Sequence, residues 1–199
     1  LENSKEIWDS FVEGEDTSFR QLIFSQYDAL YNYGIRFSAD GEQVKDAIQD
    51  LFLILWNKRG SLSEPVNIKA YLFSSLRRIL HRKHKAVKKL LADEQKLDHE
   101  FNFQVSIEMQ YINDETARRL AKKIAAAIEK LPPRQKEVVY LKFYHGFSRD
   151  EIVQAMDITP QTVSNLLQIA LGKLKDEMGS SFDPHTLYLI LPLLLKEFF

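Results

Sequence analysis

Two helix-start signals stand close together near the end of the chain, and their spacing restricts the fold more than any other feature. "SRDE" (Ser148–Glu151) is a capping box: the serine hydroxyl accepts from a backbone N–H, and the glutamate reaches back to the serine's own N–H. "TP" (Thr159, Pro160) sets a capping threonine before a proline at the first helical position. Only Met156, Asp157 and Ile158 separate the two predicted elements. Two short helices joined this tightly make a helix-turn-helix, whose second helix suits the major groove of DNA.

That second helix is short of charge. From Pro160 to Gly172 it carries no Lys, Arg, Asp or Glu, although a helix laid on a polyanion is expected to be basic. On a wheel at about 100° per residue, Val163, Leu166, Leu167, Ala170, Leu171 and Leu174 share one face, which is expected to bury. Ser164, Asn165, Gln168, Ile169, Gly172 and Lys175 share the other. Asn and Gln can pair with adenine, Ser can bond several base edges, and Ile can touch a thymine methyl. A solvated helix of any small bundle would show the same polarity, so the wheel alone leaves both readings open.

The rest of the chain also reads at helical spacing, with no strong strand pattern and no internal repeat. Helices are predicted over Lys5–Val12, Thr17–Phe37 and Gln43–Lys58, and from just after Pro65 through "NIKAYLFSSLRRILHRKHKAVKKLL". Ala92–Glu115 is polar, acidic and weakly periodic, and reads as a linker. A further helix, "TARRLAKKIAAAIEKL", is broken by "PPRQ", which opens the next one; that one ends near Gly146. The expected fold is all-α. It has two small helical domains, 1–91 and 116–178, joined by a linker over 92–115, and an apolar, helical C-terminal extension over 179–199.

Cysteine is absent, which removes disulfides, thiolate metal sites and a thiol nucleophile together. The opening "LENSKEIWDSF" has charges where a signal peptide has an apolar run, so a cytoplasmic location is expected. Net charge is −1, but it is segregated. Residues 1–58 hold 11 acidic and 5 basic groups; residues 65–92 hold 8 basic and no acidic ones; residues 116–178 hold 11 basic and 7 acidic ones. A basic face of this kind can bind phosphate whatever the net charge. His81 and His84 sit three apart, but Arg82, Lys83 and Lys85 beside them repel a cation, so no metal is expected. Phosphate loops, metal-protease helices and nucleophile elbows are absent, so neither an enzyme, a cofactor nor a small-molecule substrate is expected.

Leu131–Lys175, "LPPRQKEVVYLKFYHGFSRDEIVQAMDITPQTVSNLLQIALGKLK", resembles region 4 of sigma factors. "DAIQDLFLILWNKR" (Asp46–Arg59) and "IKAYLFSSLRRIL" (Ile68–Leu80) resemble two helices of region 2. The layout, without a middle domain, is similar to the extracytoplasmic-function (ECF) group of the sigma-70 family. The resemblance implies a transcription-initiation factor that binds the clamp and flap of core RNA polymerase. It implies reading of promoter DNA at the −10 and −35 elements, help in melting the duplex, and an anti-sigma partner of the kind often anchored at the membrane.

Site residues follow from that resemblance together with surface chemistry. The polymerase-binding set is Asp46, Gln49, Asp50, Leu53, Trp56 and Asn57, a leucine among carboxylates opposite a core face of Val44, Ile48, Leu51, Phe52 and Leu55. The −10 set is Ser61, Ser63, Asn67, Lys69, Tyr71, Arg77, Arg78, Arg82 and Lys83. There the basic groups hold phosphate, Tyr71 offers a stacking ring beside Phe73, and the loop polar groups hold an extruded base. The −35 set is Arg149, Thr159, Gln161, Thr162, Ser164, Asn165, Gln168 and Lys175. Leu166 and Ile169 stand where the family often has basic groups, so Arg134, Lys136, Lys142 and Arg149 are expected to anchor phosphate instead. The tail "SSFDPHTLYLILPLLLKEFF" is too short an apolar run to span a bilayer and contains Pro192; it is expected to pack on this protein or a partner. Two other classes stay open: a helix-turn-helix regulator acting without polymerase, and a sequestering interaction protein.

Overall fold

A computed structural model describes residues 2–62, 65–90, 101–102 and 115–178. The helices are α1 (Glu2–Val12), α2 (Asp16–Gly34), α3 (Gly41–Lys58), α4 (Ile68–Leu90), α5 (Glu115–Glu129), α6 (Pro133–Val139), α7 (Arg149–Met156) and α8 (Pro160–Met178). No strand occurs among the described residues. The chain divides into two compact units, one built on α1–α4 and the other on α5, α6, α8 and most of α7. The expected acidic linker and apolar extension lie almost wholly outside the described residues, as does Ser63.

In the first unit, α2, α3 and α4 pack on one another, and α1 packs on α2. The core face expected for α3 is the observed one: Val44, Ile48, Leu51, Phe52 and Leu55 are all buried. Asp40 starts α3 by accepting from the N–H groups of Glu42 and Gln43 at 3.0 and 3.4 Å. Before α2, the Glu15 carboxylate accepts from the hydroxyls of Ser18 and Thr17, both at 2.5 Å, which lowers its pKa. Gly34 lets α2 and α3 approach: a Cβ there would lie 2.5 Å from Val44 Cγ1. Rings fill the remaining space. Tyr33 stacks on Phe73 at 4.7 Å, Trp8 meets Tyr71 edge-on at 5.8 Å, and Phe19 lies 4.8 Å from Trp56.

In the second unit, α5 and α6 both pack on α8. Ile124, Ala127, Ile128 and Leu131, spaced three or four apart on one side of the helix, are buried. The chain continues from α6 in one wide π-type turn over Tyr140–Tyr144, then reverses at Gly146, whose φ of 68° needs no Cβ. The Phe147 N–H closes this turn on the Leu141 carbonyl at 3.0 Å. Phe101 is buried against Tyr140, ring centroids 5.5 Å apart. Sequence reading placed Phe101 in the linker; its apolar ring in an acidic run was the available signal.

Candidate nucleic-acid and polymerase interface

The helix-turn-helix forms where its caps demand. Ser148 N–H donates to Glu151 at 2.6 Å, and Glu151 N–H donates to the Ser148 hydroxyl at 3.2 Å, which completes the capping box. Thr159 Oγ1 accepts from the Thr162 N–H at 3.2 Å, and Pro160 opens α8. The linking residues are Asp157, Ile158 and Thr159, one place later than the spacing predicted, because α7 runs through Met156. Asp157 makes the sharp bend at φ 55°, a left-handed conformation that aspartate tolerates better than most residues.

The inner and outer faces of α8 divide as the wheel requires. Val163, Ala170 and Leu174 are fully buried, and Leu166, Leu167 and Leu171 are half-buried. Gln161, Asn165, Gln168, Ile169, Gly172 and Lys175 are exposed. Ser164 is only half-exposed, and its hydroxyl donates to the Pro160 carbonyl at 3.1 Å. Thr159 and Thr162 bond hydroxyl to hydroxyl at 2.8 Å, so both serve the helix start first. Gln161 and Asn165 form a side-chain pair at 2.9 Å. Arg149 is exposed at the start of α7, 3.9 Å from Asp150. A groove of about 500 Å³ is lined by Ala127, Lys130, Leu131, Lys173, Asp176 and Glu177, none of them a candidate reader, and the Lys130–Glu177 ion pair spans it at 2.8 Å.

On the first unit, α3 turns Asp46, Gln49, Leu53 and Asn57 outward, with Asp50 half-exposed. Leu53 is 52% exposed, and Ile54, which the wheel did not single out, is 39% exposed. Trp56 differs from the rest of its set. It is half-buried between Phe19 and the Arg59 guanidinium, which lies 4.3 Å from its ring.

The basic residues of α4 share its outer side unequally. Arg82 is exposed, Arg77 and Lys69 are half-exposed, and Arg78 bonds back to Ser74 Oγ at 3.2 Å. Lys83 meets Asp50 of α3 at 2.7 Å. Tyr71 and Phe73 divide as opposite positions on a helix should: Phe73 is core and Tyr71 is half-exposed. In the loop ahead of α4, the Ser61 hydroxyl donates to the Lys58 carbonyl at 2.9 Å, and Asn67 Oδ1 caps α4 through the Ala70 N–H at 2.8 Å. Val66 beside it is fully exposed, an apolar tip that sequence reading missed. Among the described residues no cluster of three metal-ligating side chains occurs.

Comparison with known proteins bears on the two units. The family model for sigma-70 region 2 matches residues 23–89, and the model for sigma-70 region 4 matches residues 121–174. No curated protein matches by sequence. The chain is similar to the solved structure of CnrH in complex with the cytosolic domain of CnrY, at 19% identity and a TM-score of 0.58, over 86% of this chain and 94% of that one. It is also similar to the sigma factor RpoE in complex with the anti-sigma factor NepR from Bartonella quintana, at 22% identity and a TM-score of 0.57, over 82% and 98%. Regions 2 and 4 in this order account for both units, and the chain belongs to the sigma-70 family, a sigma factor that directs RNA polymerase to promoters.

Proposed function

We propose that three outer surfaces serve initiation, two on the first unit and one on the second. The α3 face, with Asp46, Gln49, Asp50, Leu53 and Asn57, docks core polymerase, and Ile54 extends its apolar part. Leu53 and Ile54 supply contact area, and the carboxylates steer a basic partner. Trp56 acts by fixing the end of α3 through its ring contacts with Phe19 and Arg59.

The α4 face takes the −10 element. Lys69, Arg77, Arg78, Arg82 and Lys83 contact phosphate, and Tyr71 offers a ring edge for an unpaired base. Ser61 and Asn67 stand ahead of α4 where an extruded base is received, and Ser63, outside the described residues, is assigned the same role from its place in the sequence. Asn67 serves with its amine, because its oxygen caps α4. The α8 face takes the −35 element through Gln161, Asn165 and Gln168. Thr159, Thr162 and Ser164 shape the helix start, and Arg149 and Lys175 reach phosphate. Domain limits at 1–91 and 116–178 fit this division.

The observation that carries the reading is charge segregation within one small unit: carboxylates and exposed leucine on α3, cations on α4. An anti-sigma partner would cover one or both faces. Among the described residues no helix is long and apolar enough to cross a membrane, and we place the protein in the cytoplasm with its polymerase.

In vitro transcription with core polymerase tests the whole reading. Promoter-specific RNA that depends on this protein supports it. DNA binding as a dimer without a stable polymerase complex would favour a conventional helix-turn-helix regulator instead.

A further inference from the structure

The polar side chains on the outside of α8 are held to different degrees. The hydroxyls of Ser164, Thr159 and Thr162 bond within the helix start. Gln161 and Asn165 are both exposed and bond to each other, Gln161 Nε2 donating to Asn165 Oδ1 at 2.9 Å. They stand one helical turn apart, where side chains meet.

A carboxamide carries its acceptor and its donors on opposite sides. With Oδ1 turned to Gln161, the Asn165 amine faces away and offers N–H groups. An exposed asparagine without such a neighbour turns about its last torsion and can present either side.

We propose that Gln161 is a positioning residue that holds the Asn165 amine outward, so that Asn165 selects an acceptor-rich base edge; this rests on the proposed seating of α8 in the major groove. Guanine shows two acceptors there, N7 and O6. Adenine shows one acceptor beside the N6 donor, cytosine shows the N4 donor, and thymine sets a methyl beside O4. The held amine therefore favours guanine. Arginine and lysine are the usual readers of guanine, and none lies between Pro160 and Gly172. A fixed amide donor supplies that chemistry without charge.

The test uses the full chain bound to core polymerase and a promoter library randomised over the −35 element, with sequencing of the retained DNA. Wild type, N165A, Q161A and Q161E are compared by base preference, because the added charge of Q161E weakens all sequences alike. Wild type is expected to prefer guanine at one position by about tenfold. N165A abolishes that preference, and Q161A reduces it to about twofold. Q161E goes further. A carboxylate only accepts, so it draws the Asn165 amine inward, leaves Oδ1 outward and moves the preference to adenine or cytosine.

If N165A abolishes the preference while Q161A and Q161E keep guanine, the positioning role is overturned and the groove seating stands. If N165A changes no preference at any position, Asn165 reads no base and the inference falls; if wild type itself shows no base preference across the −35 element, the groove seating fails as well.

Discussion

The Lys83 ammonium of α4 stands 2.7 Å from the Asp50 carboxylate of α3, with the two side chains 39% and 47% exposed. The pair joins the surface proposed for polymerase to the surface proposed for promoter DNA. Exposed pairs of this kind contribute about 0–1 kcal/mol, so Asp50→Asn or Lys83→Met should change unfolding stability by less than about 1 kcal/mol. Function should respond more. Asp50→Lys is expected to weaken binding to core polymerase, and Lys83→Met to lower promoter opening while leaving polymerase affinity in place. A pull-down titration in which Asp50→Lys binds core polymerase like wild type would remove α3 as the docking face.

Two glycines should answer substitution with opposite signs. Gly34 is buried, and an added Cβ would press on Val44 Cγ1 at 2.5 Å. Gly34→Ala should therefore cost about 1–3 kcal/mol as an overpacked core, and Val44→Ala should recover part of the loss in the double variant. Gly172 sits in α8 with nothing within 4 Å of a built Cβ. Gly172→Ala should stabilise by about 0.5–1 kcal/mol, since alanine favours the helix. Urea unfolding of each variant measures both effects. A stabilised Gly172→Ala that loses −35 binding would indicate close approach of DNA to that backbone.

Features that depend on neighbouring residues were legible in the sequence, and features that depend on distant partners were not. The Ser148–Glu151 box, the Thr159 cap and the buried faces of α3 and α8 follow from local spacing, and the structure has each of them. The α2 helix stops at Gly34, short of the predicted Phe37, because Ile35–Phe37 close a terminal turn through bonds such as Phe37 N–H to the Gly34 carbonyl at 2.9 Å. A wheel assigns a face but not what meets it. Asp50 and Lys83 are far apart in sequence, and Phe101 reaches Tyr140 from a run with no period. Face and family position single out Ser61, Asn67 and Ser164 for base contacts, but neither shows that each has a backbone partner nearby that competes for its hydrogen bond.

The bend between α7 and α8 rests on one residue in an unusual conformation. Asp157 has φ 55°, where a β-branched side chain is strained by about 1–3 kcal/mol. Asp157→Val should destabilise the protein by about that amount and lower −35 binding. Asp157→Gly should be neutral or stabilising by up to about 1 kcal/mol, since glycine adopts the bend without strain but gains freedom when unfolded. Thermal unfolding of both variants decides. Equal stability of the valine and glycine variants would show that the turn relaxes to another conformation.

Low charge on α8 predicts how the second unit behaves alone. Between Pro160 and Gly172 there is no cation to hold phosphate, and the nearest exposed ones are Arg149, Lys173 and Lys175. A fragment of residues 116–178 should bind promoter DNA with a Kd weaker than about 1 µM near physiological salt, because phosphate contacts supply much of the affinity. Ile169 is 48% exposed on the outer face, so an arginine there can reach solvent without disturbing the core. In the full chain with polymerase, Ile169→Arg should strengthen binding to matched and mismatched −35 sequences alike. It should also steepen the salt dependence of log K by about one, the mark of one added phosphate contact. Fluorescence anisotropy across a salt series measures both. Tight, sequence-specific binding by the unmodified fragment would show that the uncharged face suffices, and that polymerase and the cations of α4 are not needed to hold the DNA.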